Sequence, residues 1–298
     1  MSSYLESTAR ERLLQMVDPG SFEEFLPPQA RVSSPHLGQL DAPVSFDDGV
    51  AVGSATLDGL DVCIAAQEGG FMGGAVGEVH GAKLTGLLRR AIAQQAGAVV
   101  LLLETGGVRL HEANAGLIAV SEVMRAALDA RAAGIPVIAL VGGSNGCFGG
   151  MGIVARCCNA VVMSEEGRLA MSGPEVIETA SGVEEFDSRD RALVWRTTGG
   201  KHRYLLGDCQ RIVGDSVADF RQAAIDTIAA LRQGSSELTL DALEQEHAML
   251  QARMRDFGAF REPAEVWGAL GMPQPAAIPM MEVEAFTAAA AAHRLGNA

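Results

Sequence analysis

The amino-acid sequence predicts an α/β protein built on parallel strands, and three observations carry that reading. Apolar runs without strand alternation recur at 98–104 (AVVLLLE), 135–143 (IPVIALVGG) and 160–167 (AVVMSEEG), as strands buried on both faces require. Stretches of helical period separate them, GLIAVSEVMRAALDARAAG and FGGMGIVARCCN. The first two runs lead into glycine loops and then into a helical stretch, which is the order of βα units.

Taken in order, residues 5 to 17 read as a short helix closed by Asp18-Pro19-Gly20, and residues 27 to 45, rich in Pro, Ser and Gly, as an extended surface segment. VAVGSATL and LDVCIAA flank Asp58-Gly59, a hairpin signal. The glycine-rich GGFMGGAVGEVHG leads into a helix over AKLTGLLRRAIAQQ and then the strand AVVLLLE. Gly134 stops the next helix before IPVIALVGG, and Pro174 suits the first turn of a helix in LAMSGPEVIETASG. From Gly234-Ser235-Ser236 the chain reads as helices with Pro-containing loops and an Ala-rich tail. The expected division is an N-terminal helix and extended segment (1–45), a catalytic domain (46–233) and a helical C-terminal extension (234–298).

The 298 residues are 48% hydrophobic and 20% charged, enough apolar material for a sizeable core. A formal net charge of −14 argues against a general nucleic-acid or anionic-membrane surface. The N-terminus has no signal-peptide core and no apolar stretch reaches spanning length, so a cytoplasmic protein is expected. Five cysteines without a C-x-x-C pair read as reduced core residues, not as a metal site.

Two glycine loops carry the chemistry. Thr105-Gly106-Gly107-Val108-Arg109 leaves one buried strand, and the segment from Gly142 to Gly152 leaves the next. Both lie at carboxyl ends of strands, where open α/β sheets place ligands, and both precede helices whose first-turn N–H groups favour negative charge. Side by side, they can aim one N–H each at a single oxygen as an oxyanion hole. Two other motifs overlap the second loop. Gly142-Gly143-Ser144-Asn145-Gly146 matches the G-x-S-x-G elbow of serine hydrolases, with His202 or His247 as bases, although Gly146, Gly149 and Gly150 oppose the helix that should follow. Gly150-Met151-Gly152-Ile153-Val154-Ala155 matches G-x-G-x-x-A, with Glu165 in the place of a ribose-binding acid, but its first glycine comes well after the strand end.

The blocks DPGSFEEF, DDGVAVGSATLDGL, FMGGAVGEVHGAKL, ETGGVRLHEA, GGSNGCFGGMG and MSGPEVIE, in this order over residues 18 to 178, resemble the carboxyltransferase branch of the crotonase superfamily. Within it the chain resembles the beta subunits of malonate decarboxylase of the biotin-independent kind. The resemblance implies a crotonase-like ββα-repeat spiral core and a thioester carbonyl held by N–H groups mapping onto Gly106, Gly107 and Val108 and onto Phe148, Gly149 and Gly150. It further implies decarboxylation of a malonyl group on the phosphopantetheine-like arm of an acyl carrier protein, with no metal and no directly bound cofactor. The implied partners are a homologous gamma subunit sharing the active site, the acyl carrier protein and an acyl carrier transferase subunit.

Other side chains receive expectations of the same kind. His111 lies close behind the first loop and is a candidate to protonate the enolate; Glu104 and Arg109 are expected to orient the loop. Lys83, Arg89 and Arg90 follow GEVHG, where related enzymes bring the arm past. Residues 189–211 hold Arg189, Arg191, Arg196, Lys201, His202, Arg203 and Arg211 against Asp190 and Asp208, and read either as a receiving surface for the acidic carrier or as a solvated or subunit-contact face. A biotin-dependent carboxyltransferase, a Ser144 hydrolase and a non-catalytic partner completing a homologous subunit's site remain alternatives.

Overall fold

The computed structural model describes residues 2–234 and 238–296, so Ser235 and Ser236 of the expected boundary lie outside the described residues. One seven-stranded sheet organises the molecule, its strands adjacent in chain order: β1 (Glu23–Glu24), β2 (Val50–Leu57), β3 (Leu60–Gln67), β4 (Ala98–Leu103), β5 (Val137–Val141), β6 (Ala160–Ser164) and β7 (Arg211–Val213). The first two pairings are antiparallel and the other four parallel. At the β2–β3 turn Asp58 and Gly59 both take positive φ, 52° and 74°, as a two-residue hairpin of this sense requires.

Each parallel step is a βα unit. The helices are α1 (Ala9–Met16), α2 (Pro35–Gln39), α3 (Glu78–Gln94), α4 (Asn114–Ala132), α5 (Gly150–Cys157), α6 (Pro174–Ser181), α7 (Arg191–Thr198), α8 (Gly200–Leu205), α9 (Val217–Gln233), α10 (Leu240–Phe257), α11 (Pro263–Ala269) and α12 (Val283–Ala290). Helices α3, α4 and α5 cover one face of the sheet, packing Leu84, Leu88, Val123 and Val154 against Val99, Leu101 and Leu103. Helices α1 and α9 cover the other, packing Leu13, Met16 and Phe220 against Val100 and Leu102. Alternate residues of β4 therefore face opposite cores, which is why that strand is apolar throughout.

The segment before residue 46 is built into the body: Thr8 caps α1 through a capping box and β1 extends the sheet. A third cluster, Leu205, Ile212, Trp267, Met272, Ile278 and Phe286, joins α8 and β7 to the chain after α10. Helix α10 itself contains no buried residue. No helix among the described residues is long and apolar enough to cross a membrane.

Helix α3 starts a turn earlier than the sequence suggests, because Glu78 to Gly81 are helical and Gly81 packs against Ala119 of α4. The early turn buries His80, whose Nδ1 lies 3.0 Å from the Asp48 carbonyl and whose Nε2 lies 3.0 Å from Gln67 Nε2. Burial, aided by the Arg109 charge, lowers the His80 pKa to about 3; burial, aided by Arg203, does the same to His202. Both stay neutral in the fold while the unfolded chain takes up protons below about pH 6.5. The unfolded state then binds more protons, so stability falls as pH falls. Denaturation followed from pH 7 to 4 should show a loss approaching 1.4 kcal/mol per pH unit per histidine, about the ceiling for one proton, and His80→Gln should flatten the slope.

Candidate active site

Beyond β4 and β5 the chain forms a second, smaller parallel ladder. Isolated bridges join Val76 to Val108, Thr105 to Cys147, and Cys147 to Leu169. Thr105 N donates to Gly146 O at 2.8 Å and Phe148 N to Thr105 O at 2.9 Å, so the two glycine loops are stitched together by backbone bonds. Their tips also meet: a Cβ built on Gly149 would lie 3.0 Å from Gly107 Cα, and Gly149 itself takes φ +64°. Position and conformation both demand glycine there.

The ladder decides which amides remain available. Gly106 N donates to Gly73 O at 2.8 Å, Gly149 N to Met171 O at 2.9 Å and Phe148 N to Thr105 O. Gly107 N donates to Thr105 Oγ1 at 3.1 Å. Four of the six amides expected to hold a thioester are thus already paired, a correction that follows from each N–H having one proton to give. Val108 and Gly150 have no protein acceptor for their amides among the described residues. Val108 is fixed by its flanks, since Gly107 O accepts from Val76 N and Arg109 N donates to Val76 O. Gly150 opens helix α5, where first-turn N–H groups are unpaired and the helix dipole is positive.

Glu104 organises the loops from beneath. It is buried where β4 ends, its backbone N–H donating to Gln67 Oε1 at 3.1 Å. Its Oε1 accepts from Ser144 Oγ, Asn145 N and Asn145 Nδ2, each at 3.1 Å. Its Oε2 pairs with the buried guanidinium of Arg12 on α1, which also donates from Nε to Tyr4 O at 2.6 Å. A side chain at Gly143 would collide with the Glu104 carboxylate. One carboxylate thereby ties the first loop's strand, the second loop and the N-terminal helix together.

Other expected residues are placed as follows. Arg109 is fully buried, bonded to Asp48 Oδ2 at 2.9 Å and Glu112 Oε1 at 3.3 Å, and so fixes the first loop. His111 is exposed beyond that loop, in the 3-10 turn Leu110–Glu112. Lys83 is corrected: it is buried, with Nζ donating to the carbonyls of Asp47 and Val50, so it presents no charge to a ligand. Arg89 pairs with Glu122 at 3.3 Å, and Arg90 lies 4.0 Å over the Phe25 ring. Among the described residues no histidine bonds Ser144; His202 Nδ1 accepts from Trp267 Nε1 and His247 lies beside Gln251. Glu165 is paired with Lys201 at 2.7 Å, which removes it as a ribose acid.

Most of the basic segment is also spent internally. Arg203 bonds Asp208 at 3.1 Å, Arg211 lies 3.6 Å from Asp226, and Lys201 is buried. Arg168, overlooked in the sequence, donates to the Ser144 carbonyl and lies over the Phe148 and Trp195 rings, bracing the second loop. Burial raises the thiols of Cys63, Cys147, Cys157, Cys158 and Cys209 above the usual cysteine range. Burial pushes Cys158 and Cys209 up to about 12 and Cys147, inside the second loop, higher still; Cys157 is only half-buried, unlike the core residue expected. Among the described residues no three His, Cys, Asp or Glu side chains converge as a metal site.

A mostly parallel sheet flanked by helices, with two glycine loops joined at its strand ends, is the architecture of the crotonase-like fold. Residues 6–201 match the carboxyl transferase domain, and the chain belongs to that family. It is 39% identical over 97% of its length, and 95% of the relative's, to the malonyl-S-ACP:biotin-protein carboxyltransferase MADC of Malonomonas rubra. It is 33% identical to the propionyl-CoA carboxylase beta chain of Saccharopolyspora erythraea, over 67% of this chain and 36% of that one. Among solved structures, it is similar to a chain of a Pseudomonas malonate decarboxylase hetero-tetramer in complex with malonate, at TM-score 0.75 and 42% identity over 77% of this chain and 84% of that one. A chain of the Pseudomonas MdcD-MdcE hetero-dimer of malonate decarboxylase matches at TM-score 0.63 and 37% identity, over 76% and 88%. The chain is a carboxyltransferase related to the subunits of malonate decarboxylase.

Proposed function

We propose that this chain is a catalytic subunit of a malonate decarboxylase, acting on a malonyl thioester carried by the prosthetic arm of an acyl carrier protein. The observation that carries the reading is the pair of unengaged amides, Val108 and Gly150, on adjoining loops. The thioester oxygen accepts from both. As the bond between the carboxylate carbon and the α-carbon breaks, CO₂ leaves and the electron pair passes into the enolate, whose charge rests on that oxygen. Protonation at carbon gives the acetyl thioester, and exposed His111 is the nearest titratable candidate in sequence to deliver or relay the proton. Donors tied into a ladder do not reorganise as charge develops, which makes such a hole effective.

Residues 46–233 carry this chemistry, with the flanking segments as support. Leu110, Leu117, Ile118, Ile153, Met171 and Val176 are exposed on the first-loop turn, on helices α4, α5 and α6 and on the segment leading into α6. An apolar surface of this kind suits a homologous gamma subunit, with the acyl carrier protein and its transferase completing the complex. Transfer of the carboxylate to biotin is the second reading, favoured by the near-full-length likeness to the Malonomonas rubra carboxyltransferase. CO₂ release from a malonyl thioester of the carrier, by the chain purified with its partners, separates the readings. Avidin-resistant release is expected; release abolished by avidin would favour the biotin route, and none from an intact complex would end both. Ser144→Ala should retain turnover within about tenfold, because its hydroxyl supplies one of the three bonds to Glu104 Oε1. Complete loss with the loops intact would restore the hydrolase reading.

A further inference from the structure

The basic segment after residue 189 walls a cavity that the glycine loops do not use. It lies where helices α7 and α8 meet α11 and the 3-10 turn Pro275–Met280, and Arg191, Trp195, Arg196, His202, Trp267 and Ile278 line it. Its volume of ≈ 330 Å³ suits a small organic molecule. Arg168 separates the cavity from the second loop, with its guanidinium 5.2 Å from the centre of the Trp195 ring and 5.7 Å from that of Phe148.

The polar groups on its wall are unequally engaged. Lys201 gives its three protons to Glu165 at 2.7 Å, Met281 O at 2.6 Å and Pro279 O at 3.3 Å, so that pair presents neither net charge nor a free donor. Arg191 is exposed and has no ion-pair or hydrogen-bond partner among the described residues, and Arg196 reaches only the exposed Glu262, at 3.9 Å. His202 adds a donor. An indole N–H can only donate, so the 3.1 Å bond from Trp267 Nε1 takes the lone pair of His202 Nδ1. Burial keeps the ring neutral at ordinary pH, and its one proton therefore sits on Nε2, which has no acceptor among the described residues. Two uncommitted guanidinium groups, an imidazole N–H and two indole rings thus share one hollow in a chain of net charge −14. Guanidinium forks match a carboxylate, and indole rings cover a flat apolar body. We propose that the cavity binds a small aromatic carboxylate, its charge on Arg191 and Arg196 and its ring between Trp195 and Trp267. The site stands apart from the malonyl-thioester reading and survives its failure.

Fluorine NMR of the purified complex, with 5-fluorotryptophan in this chain alone, tests the site. The sequence holds two tryptophans, Trp195 and Trp267, and both line the cavity, so each resonance reports on it directly. Benzoate is the probe, and it should shift both resonances with a single midpoint on the order of 0.1–1 mM, as suits a ligand of about nine non-hydrogen atoms. Acetate, which lacks the ring, and benzamide, which lacks the charge, should each bind at least about tenfold more weakly. Arg191→Gln/Arg196→Gln should weaken benzoate by at least about tenfold as well. Resonances unmoved by benzoate at about 10 mM, acetate or benzamide as effective as benzoate, or a benzoate midpoint indifferent to the arginine pair would each overturn the inference.

Discussion

Leucine in place of Glu104, with Arg12 left as it is, should lower stability by about 3–5 kcal/mol, because it strands a buried guanidinium without its counter-charge. That loss alone would not distinguish a structural ion pair from a residue that positions the loops. Two double variants do. In Arg12→Met/Glu104→Gln the buried charges vanish together, while a side-chain oxygen still accepts from Ser144 and Asn145. This variant should fold and keep turnover within about tenfold of the parent. In Arg12→Met/Glu104→Leu the charges are equally absent but the acceptor is gone, and kcat should fall roughly 100-fold or more with KM little changed, the mark of lost geometry at the reacting centre. Urea denaturation and steady-state CO₂ release on both, with amide exchange of residues 105–108 and 143–150, separate the effects. Equal rates in the two double variants would show that Glu104 contributes stability alone.

Valine at Gly149 should abolish measurable turnover in a complex that still assembles. Its Cβ would meet Gly107 Cα at 3.0 Å, and φ +64° is a conformation a β-branched residue resists. Relief requires the loops to part, which moves the Val108 and Gly150 amides off a shared oxygen. Loss of one such donor is worth about 10²–10³ in rate, and displacing the pair costs more. Gly106→Ala, in the same loops, provides the control. Its Cβ would find Gly73 O at 3.5 Å, an ordinary contact, so activity should persist. Similar losses at both positions would mean that the loops need glycine for folding and not for the hole.

Much of this was legible in the sequence because periodicity and glycine punctuation are local signals. The Asp58-Gly59 hairpin, the apolar strands β4, β5 and β6 and the start of α6 at Pro174 were all readable from a few neighbouring residues. The loops were readable as sites where the backbone matters, though not which amides face outward, since that is set by acceptors on Gly73, Thr105 and Met171. Lys83 misled because lysine beside Arg89 and Arg90 suggests a basic surface. Its spacing from His80, Leu84 and Leu87 placed it on the inward face of α3, a signal that was present. Glu104 was readable as a residue that orients the first loop, but Arg12 gave no signal, because its partner stands 92 residues later in the chain.

That separation has a consequence for biosynthesis. Helix α1 leaves the ribosome early, carrying Arg12 beside the apolar Leu13 and Met16, and the strands it packs against do not yet exist. At roughly 5–20 residues per second the wait for Glu104 alone lasts on the order of 5–20 s. Throughout it Arg12 stays without its counter-charge beside unburied Leu13 and Met16, and an isolated helix of eight residues is marginal in water, so α1 becomes the brace beneath the glycine loops only when Glu104 and the strands arrive.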